Sequence, residues 1–335
     1  MEILAGARRS RVDLYRRGVI CSPLLPLGLP LRAGGIYLKL ENLQPIIRCY
    51  KLRGALNAVR ADNQDRLQTQ YGVVTASAGN FAQGLALSCQ MAKVPLTVLM
   101  PRGASLMKAQ RIVDLYPEVR IIEVADTQWW TCMLDASTCR TDLPRDLHRA
   151  RFISPCTDPQ VIEGNATIGL EIAEAACLEE ATELHLMVPY GGGGLLTGAG
   201  TLMRAVFSAR PKTNLKIFAC EVDTAAPLHA SLAQGVPTPV AYRRSFIDGI
   251  GAPAVLPQVF LQAKELVDAS LMVSPQEVVR ACAFLLNQCG MVVEGAGAVS
   301  LAAAWRYGTP AAHTVCIVSG GNVTLQSLRD AGVPA

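Results

Sequence analysis

Two stretches of this 335-residue chain carry residue types and spacings fit for chemistry. The first is Gly191-Gly192-Gly193-Gly194, set between the apolar run Glu183–Val188 and the Ala- and Leu-rich segment Leu195–Ser208. The run reads as a buried strand and the segment as a helix. Glycines at a strand-to-helix turn let backbone N–H groups converge with no Cβ in the way. The helix N-terminus adds roughly half a positive charge at that point. Holding a phosphate is the chemistry this suits; a turn that is Gly-rich only for packing is the other reading. The stretch has neither the Gly-Lys-Ser/Thr of a nucleotide phosphate loop nor the spaced G-x-G-x-x-G of a dinucleotide fingerprint, so it does not say which phosphate.

The second stretch is Cys49-Tyr50-Lys51-Leu52-Arg53-Gly54-Ala55, which places a lysine beside an arginine and a glycine among apolar neighbours. A lysine is nucleophilic only when deprotonated, and apolar surroundings favour that state. Taken alone, Lys51 reads as a surface lysine. Two further turns change the weighing: Ser77-Ala78-Gly79-Asn80 and Ser319-Gly320-Gly321-Asn322 each follow an apolar run. In a parallel sheet such turns share the C-terminal edge, where ligands bind. A phosphate cup, two Ser/Asn turns and one lysine together suit an aldehyde cofactor held by a Schiff base.

The elements that must position these residues alternate. Strands are expected at Gly35–Glu41, Val73–Ser77, Leu96–Met100, Val119–Val124, Leu215–Glu221 and His313–Ser319. Helices are expected from Lys51 to about Arg60, and over Phe81–Met91, Ala104–Tyr116 and Asp158–Cys177. Ser274-Pro275-Gln276-Glu277 reads as a capping box that opens a further helix. Alternation of this kind predicts an α/β fold, two-lobed, of mostly parallel twisted sheets with helices on both faces. Residues 1–54 and 152–335 are expected to form a large cofactor-binding lobe, and 55–151 a small mobile lobe.

Composition narrows the class. Half of the chain is apolar and 17% is charged, which describes a folded globular protein. Net charge is +4, and the arginines of the first segment have no interleaved aromatics to stack bases, so no nucleic-acid partner is expected. Leu184–Met203 lacks charge, but its Pro and Gly make it a poor membrane helix. The eleven cysteines form an odd count with no C-x-x-C pair and read as reduced, buried thiols of a cytoplasmic protein. The four histidines show no metal-ligand spacing.

Read in order, Lys39-Leu40-Glu41, Tyr50–Ala55, Ser77-Ala78-Gly79-Asn80-Phe81, Gly164-Asn165-Ala166-Thr167, Gly191–Gly194, Glu294-Gly295-Ala296-Gly297-Ala298 and Ser319–Asn322 resemble the β-family (fold type II) of pyridoxal-phosphate enzymes. Within it the chain is similar to the serine/threonine dehydratase and serine racemase group, whose fold is tryptophan-synthase-β-like. The resemblance implies pyridoxal 5′-phosphate as cofactor, an amino-acid substrate and a homodimer. It implies that Lys51 bonds the cofactor and moves the substrate Cα proton. Gly191, Gly192, Gly193 and Gly194 would cradle the phosphate, Asn80 would meet the ring oxygen, and Ser319 the pyridine nitrogen. Tyr50 and Gly249 would flank the ring, and Glu294 would join the cofactor site. Ser77, Ala78, Gly79, Asn80 and Phe81 would bind the substrate. The activity implied is dehydration of a β-hydroxy amino acid such as threonine or serine to a 2-oxo acid and ammonia.

The chain departs from its relatives in places. Ala78 stands where racemases carry a second serine, which favours a dehydratase over a racemase. Phe81 replaces a usual histidine, which fits either a bulkier substrate such as a phenylserine or a packing change. The segment before Lys51 is one residue longer through Ile46-Ile47, and Cys49 replaces a serine. Some relatives bind a divalent ion through a Glu and an Asp; Glu221 fits the first, but Pro227 occupies the second. A β-replacement enzyme and a catalytically silent cofactor-binding protein, the latter prompted by the altered loop and by Trp129-Trp130, are the other readings.

Overall fold

The computed structural model describes residues 2–28, 34–59, 70–104, 106–134 and 143–334. Its strands in chain order are β1 (Leu24–Pro26), β2 (Gly35–Leu40), β3 (Val73–Ala76), β4 (Leu96–Pro101), β5 (Arg120–Val124), β6 (Arg151–Phe152), β7 (Glu183–Pro189), β8 (Asn214–Val222), β9 (Ala269–Val273) and β10 (His313–Val318). The chain divides into two compact units, Met1–Tyr50 with Asn165–Ala335, and Lys51–Gly164.

The first unit holds a six-stranded sheet in the order β1-β2-β10-β7-β8-β9. Every pairing is parallel except that of β1 with β2. Its strands alternate with period two between two apolar cores. Leu38, Leu40, Met187, Cys220, Val222, Cys316 and Val318 point to one face, where the helices Pro275–Asn287 and Gly295–Tyr307 pack. Tyr37, Leu184, Leu186, Val188, Ile217, Ala219, Val315 and Ile317 point to the other, against Ile168, Ile172, Leu196, Ala199, Met203 and Phe260 of further helices. Successive side chains of a strand face opposite sides, so a strand apolar at every position must be covered on both. Helices on both faces follow from that pattern.

The second unit holds a four-stranded parallel sheet in the order β5-β4-β3-β6. Val73, Leu96, Val98 and Met100 pack with Ala55, Phe81, Leu85, Cys89 and Ile112 from the helices Lys51–Ala58, Asn80–Ala92 and Leu106–Leu115. The helices begin and end within a few residues of the places read from sequence, except that Asp158–Cys177 stops as an α-helix at Ala173; the expected end of the helix from Lys51, Arg60, lies outside the described residues. The capping box is present: the Ser274 hydroxyl accepts from Glu277 N–H at 3.3 Å, and Glu277 Oε2 accepts from Ser274 N–H at 2.7 Å.

Two expectations need amendment. The segment after the glycine turn is helical as expected but not uniformly α: after Gly194 and Leu195, Leu196–Gly200 is a π-helical turn that runs on into the α-helix Thr201–Phe207. The thiols are not all reduced, because Cys132 is disulfide-bonded. Among the described residues nine others, Cys49, Cys220 and Cys316 among them, are free, and two of these, Cys21 and Cys177, are exposed. Burial pushes the Cys89 and Cys282 thiols up to about 12, which makes them inert at neutral pH. Among the described residues, no helix is long and apolar enough to cross a membrane.

Candidate active site

In the first unit, β7 and β10 are parallel neighbours, so the turns that follow them open at one edge of the sheet. Gly193 has φ +84°, a left-handed conformation that disfavours a Cβ, and a Cβ there would strike Val259 Cγ1. A Cβ on Gly191 would come within 2.9 Å of Ile250 Cα and 3.4 Å of Gly249 O. The turn is therefore glycine because the backbone of 249–250 lies against it. Gly249 in turn faces Ala296 Cβ, and its own Cβ would lie 4.0 Å from Glu294 Oε1. Glu294 N–H donates to Gly320 O at 3.1 Å, and Tyr50 N–H donates to Ser319 O at 3.0 Å. The Ser319 hydroxyl donates to Ala296 O at 3.4 Å. Tyr50, Gly191, Gly249, Glu294 and Ser319, chosen from sequence, thus form one continuous cluster.

The loop before Lys51 is pinned to this cluster. Cys49 and Gly320 form an antiparallel bridge, and Gly321 N–H donates to Arg48 O at 2.8 Å. Ile46 and Arg48 take φ +63° and +53°, which costs a side-chain-bearing residue roughly 1–2 kcal/mol each. Ile47 between them is fully buried, while Ile46 is 65% exposed.

In the second unit, Lys51 opens the helix Lys51–Ala58 and packs on the helix Asn80–Ala92 through Gly84, whose Cβ would come within 3.0 Å of Ala55 Cβ and 3.4 Å of Lys51 O. The Lys51 ammonium nitrogen lies 5.9 Å from the centre of the Phe81 ring. Phe81 is buried in this unit's apolar core. The Ser77 hydroxyl accepts from Gly79 N–H at 3.4 Å, and Gly79 is the N-cap of the helix that begins at Asn80. Ser77, Ala78, Gly79, Asn80, Phe81 and Lys51 are therefore neighbours here, at the C-terminal end of β3 and a helix N-terminus.

Glu221 caps the start of a helix. Pro227 at the start of the helix Pro227–Gln234 has no N–H, and the next two, from Leu228 and His229, donate to the Glu221 carboxylate at 2.9 and 2.7 Å. The Ser270 hydroxyl adds a third bond at 2.6 Å. No cluster of three or more metal-ligating side chains occurs among the described residues. Burial raises the Glu221 carboxyl above its ordinary value, outweighing these hydrogen bonds. The folded state then binds a proton more readily than the unfolded one. Glu221 contributes stability below the unfolded value of about 4.3, and this is lost as pH rises through the folded value. Raising the pH from about 4 toward 7 should shift the Tm difference between wild type and Glu221→Gln against the wild type. A difference constant over that range would show a carboxyl that titrates normally.

Two polar groups near the glycine turn escaped sequence reasoning. Asn165 Nδ2 donates to Gly194 O at 3.2 Å, and Thr197 N–H donates to Gly193 O at 2.8 Å. Asn165 Oδ1 and Thr197 Oγ1 are buried and have no hydrogen-bond partner among the described residues. A buried polar atom left unpaired costs about 1–3 kcal/mol. The signal was present, since both residues lie inside the motif stretches, but the glycines drew the reading.

Residues 16–320 match the family of pyridoxal-phosphate dependent enzymes. The chain belongs to this family. It is 34% identical over 305 residues to the L-threonine ammonia-lyase of Geobacter sulfurreducens, across 90% of this chain and 69% of that protein. It is 30% identical over 298 residues to the catabolic L-threonine dehydratase of Escherichia coli K12, across 87% and 84%. The solved processed form of threonine deaminase isoform 2 from Solanum lycopersicum superposes with a TM-score of 0.78 at 29% identity, covering 97% of this chain and 92% of that one. The fold is that of the fold type II enzymes, and the cofactor is pyridoxal 5′-phosphate. The site suits that cofactor. At Gly191 and Gly193 the turn has no room for a Cβ, and Thr197, whose N–H donates to Gly193 O, has a buried hydroxyl with no partner among the described residues.

Proposed function

We propose that this protein is a pyridoxal-phosphate-dependent dehydratase, an ammonia-lyase that converts a β-hydroxy amino acid such as threonine or serine to a 2-oxo acid and ammonia by α,β-elimination. The observation that carries this reading is the likeness to named threonine ammonia-lyases along nine-tenths of the chain. When bound, the cofactor supplies an electron sink for charge developing at the substrate Cα.

The chain's own residues supply the rest. Lys51 would hold the cofactor through Nζ, and its amine would take the substrate Cα proton. The buried Phe81 ring lies beside that amine and makes part of its surroundings apolar. Gly191, Gly192, Gly193 and Gly194 hold the phosphate through backbone N–H groups and the helix dipole. Tyr50 and Gly249 would flank the ring, Asn80 would meet its oxygen, and Glu294 would line the site. Ser319 meets the ring nitrogen with a hydroxyl; a carboxylate there would hold a proton on that nitrogen and draw charge into the ring. Ser77, Gly79 and the N-terminus of the helix Asn80–Ala92 receive the substrate carboxylate. Ala78 has no proton to exchange on the opposite face of Cα, which disfavours racemisation. The protein acts as a cytoplasmic homodimer; the nine free thiols fit a reducing compartment, and the Cys132 disulfide does not.

The test is a 2-oxo acid assay on the cofactor-loaded protein over threonine, serine and phenylserine in both configurations. Threonine or serine should yield oxo acid and ammonia in equal amounts. No oxo acid from any member of the panel would defeat the dehydratase reading, and turnover of phenylserine alone would move the substrate to a bulkier class.

A further inference from the structure

A cup that binds an anion through N–H groups has to keep its carbonyl oxygens off the anion. Two of those oxygens are accounted for by residues outside the glycine run. Gly194 O accepts from Asn165 Nδ2, and Gly193 O accepts from Thr197 N–H. Asn165 is reached because the helix Pro159–Ala173 runs tightly against the π-helical turn: a Cβ on Gly169, one turn on from Asn165, would lie 2.6 Å from Ala199 O. Asn165 is fully buried and therefore held in place.

Thr197 then has a hydroxyl to spare. A helical threonine ordinarily turns its hydroxyl back to the carbonyl four residues earlier. Here that carbonyl is Gly193 O, which Thr197 engages through its N–H alone. Thr197 is 4% exposed, so water does not reach the hydroxyl freely, and it has no partner among the described residues. It lies in the first turn after the cup, inside the π-helical segment Leu196–Gly200. Turns of this kind are often found at functional sites.

We propose that Thr197 is a side-chain ligand of the cofactor phosphate, donating its hydroxyl proton to a phosphate oxygen, and that Asn165 is a positioning residue that holds the Gly194 carbonyl off the same anion. This rests on the phosphate cup of the proposed active site and not on which amino acid is consumed. A holoenzyme that binds cofactor yet makes no oxo acid would overturn the function and leave this inference standing.

The experiment compares the affinities of the cofactor-free protein for pyridoxal 5′-phosphate and for pyridoxal, which lacks the phosphate, by equilibrium titration. Loss of a hydrogen bond to a charged group should weaken pyridoxal-phosphate binding by Thr197→Val about tenfold, equivalent to about 1.4 kcal/mol. Pyridoxal binding should stay within about twofold, since that compound never met the hydroxyl. Thr197→Ser restores the hydroxyl and should match wild type for both compounds. Thr197→Ala gives the same reading if the valine variant does not fold. Asn165→Ala should move the ratio of the two affinities in the same direction. An unchanged ratio in the threonine variants, whether through no loss or through equal loss of both compounds, overturns the ligand role of Thr197. An unchanged ratio in Asn165→Ala overturns its part.

Discussion

Lys51→Ala is expected to reduce turnover by about 10³-fold or more and to abolish covalent retention of the cofactor. The lysine has two tasks in the proposed reaction, attachment of the cofactor and movement of the Cα proton, and an alanine methyl performs neither. A positioned acid–base group alone contributes about 10²–10⁴-fold. The substitution should leave the fold intact, because position 51 is the first residue of the helix Lys51–Ala58 and alanine is a good helix former. Two readouts separate chemistry from damage. Mass spectrometry after borohydride reduction should find the cofactor on wild type and not on the variant, and circular dichroism should superimpose. Turnover within tenfold of wild type would mean that another group carries the proton.

The second large effect concerns stability. Lys39 on β2 and Glu171 on the helix Pro159–Ala173 form an ion pair with both side chains 1% exposed. The ammonium also donates to Ser22 O at 2.6 Å, and the Tyr15 hydroxyl donates to Glu171 Oε1 at 2.8 Å. Burial and the neighbouring groups push the Tyr15 phenol well above its ordinary value, so it remains a donor at all working pH values. Glu171→Leu removes the carboxylate from this arrangement and leaves a buried cation and a buried hydroxyl behind. Loss of one partner of a buried pair costs about 3–5 kcal/mol, a large part of a total stability of about 5–15. Urea unfolding should show the loss as a lower midpoint with an unchanged slope. The double variant Lys39→Met/Glu171→Leu should recover part of it, because no charge is then stranded. A cost below about 1 kcal/mol for the single variant would show that water reaches the ammonium once the carboxylate is gone.

Much of this architecture is legible in the chain because it repeats. Strands apolar at nearly every position, such as Leu184–Val188 and Val315–Val318, have one stable environment, a parallel sheet covered on both faces. The turns after β3, β7 and β10 are marked by residue types that tolerate unusual backbone or carry donors. What escaped reading is set by single contacts between distant positions. β1, β6 and β9 are too short or too mixed to show a period, and their neighbours fix them. The role of Glu221 depends on a helix that starts at Pro227 and on Ser270, and no local pattern joins the three. The left-handed backbone of Ile46 and Arg48 is fixed by how their loop is held, and neither side chain announces it. The disulfide at Cys132 breaks an expectation built on the cysteine count alone. At the site, the residues that hold the glycine turn from outside, Asn165 and Thr197, look like ordinary helical positions until their hydrogen bonds are counted.

The π-helical turn Leu196–Gly200 has a consequence well away from the phosphate cup. It adds a residue to one turn, which rotates everything after it by about 100° around the helix axis relative to an unbroken α-helix. Arg204, a few residues on, donates to Leu266 O and Leu215 O, each at 2.8 Å, and pairs with Asp268 at 2.6 Å. That phase lets one guanidinium bind the end of the helix Pro257–Leu266 and the first part of β8 at once. Deleting a single residue from the turn would keep the helix and swing Arg204 out of reach. A one-residue gap in an alignment of relatives at this point therefore marks a change of wiring on the far side of the helix, and not a neutral trimming of a loop.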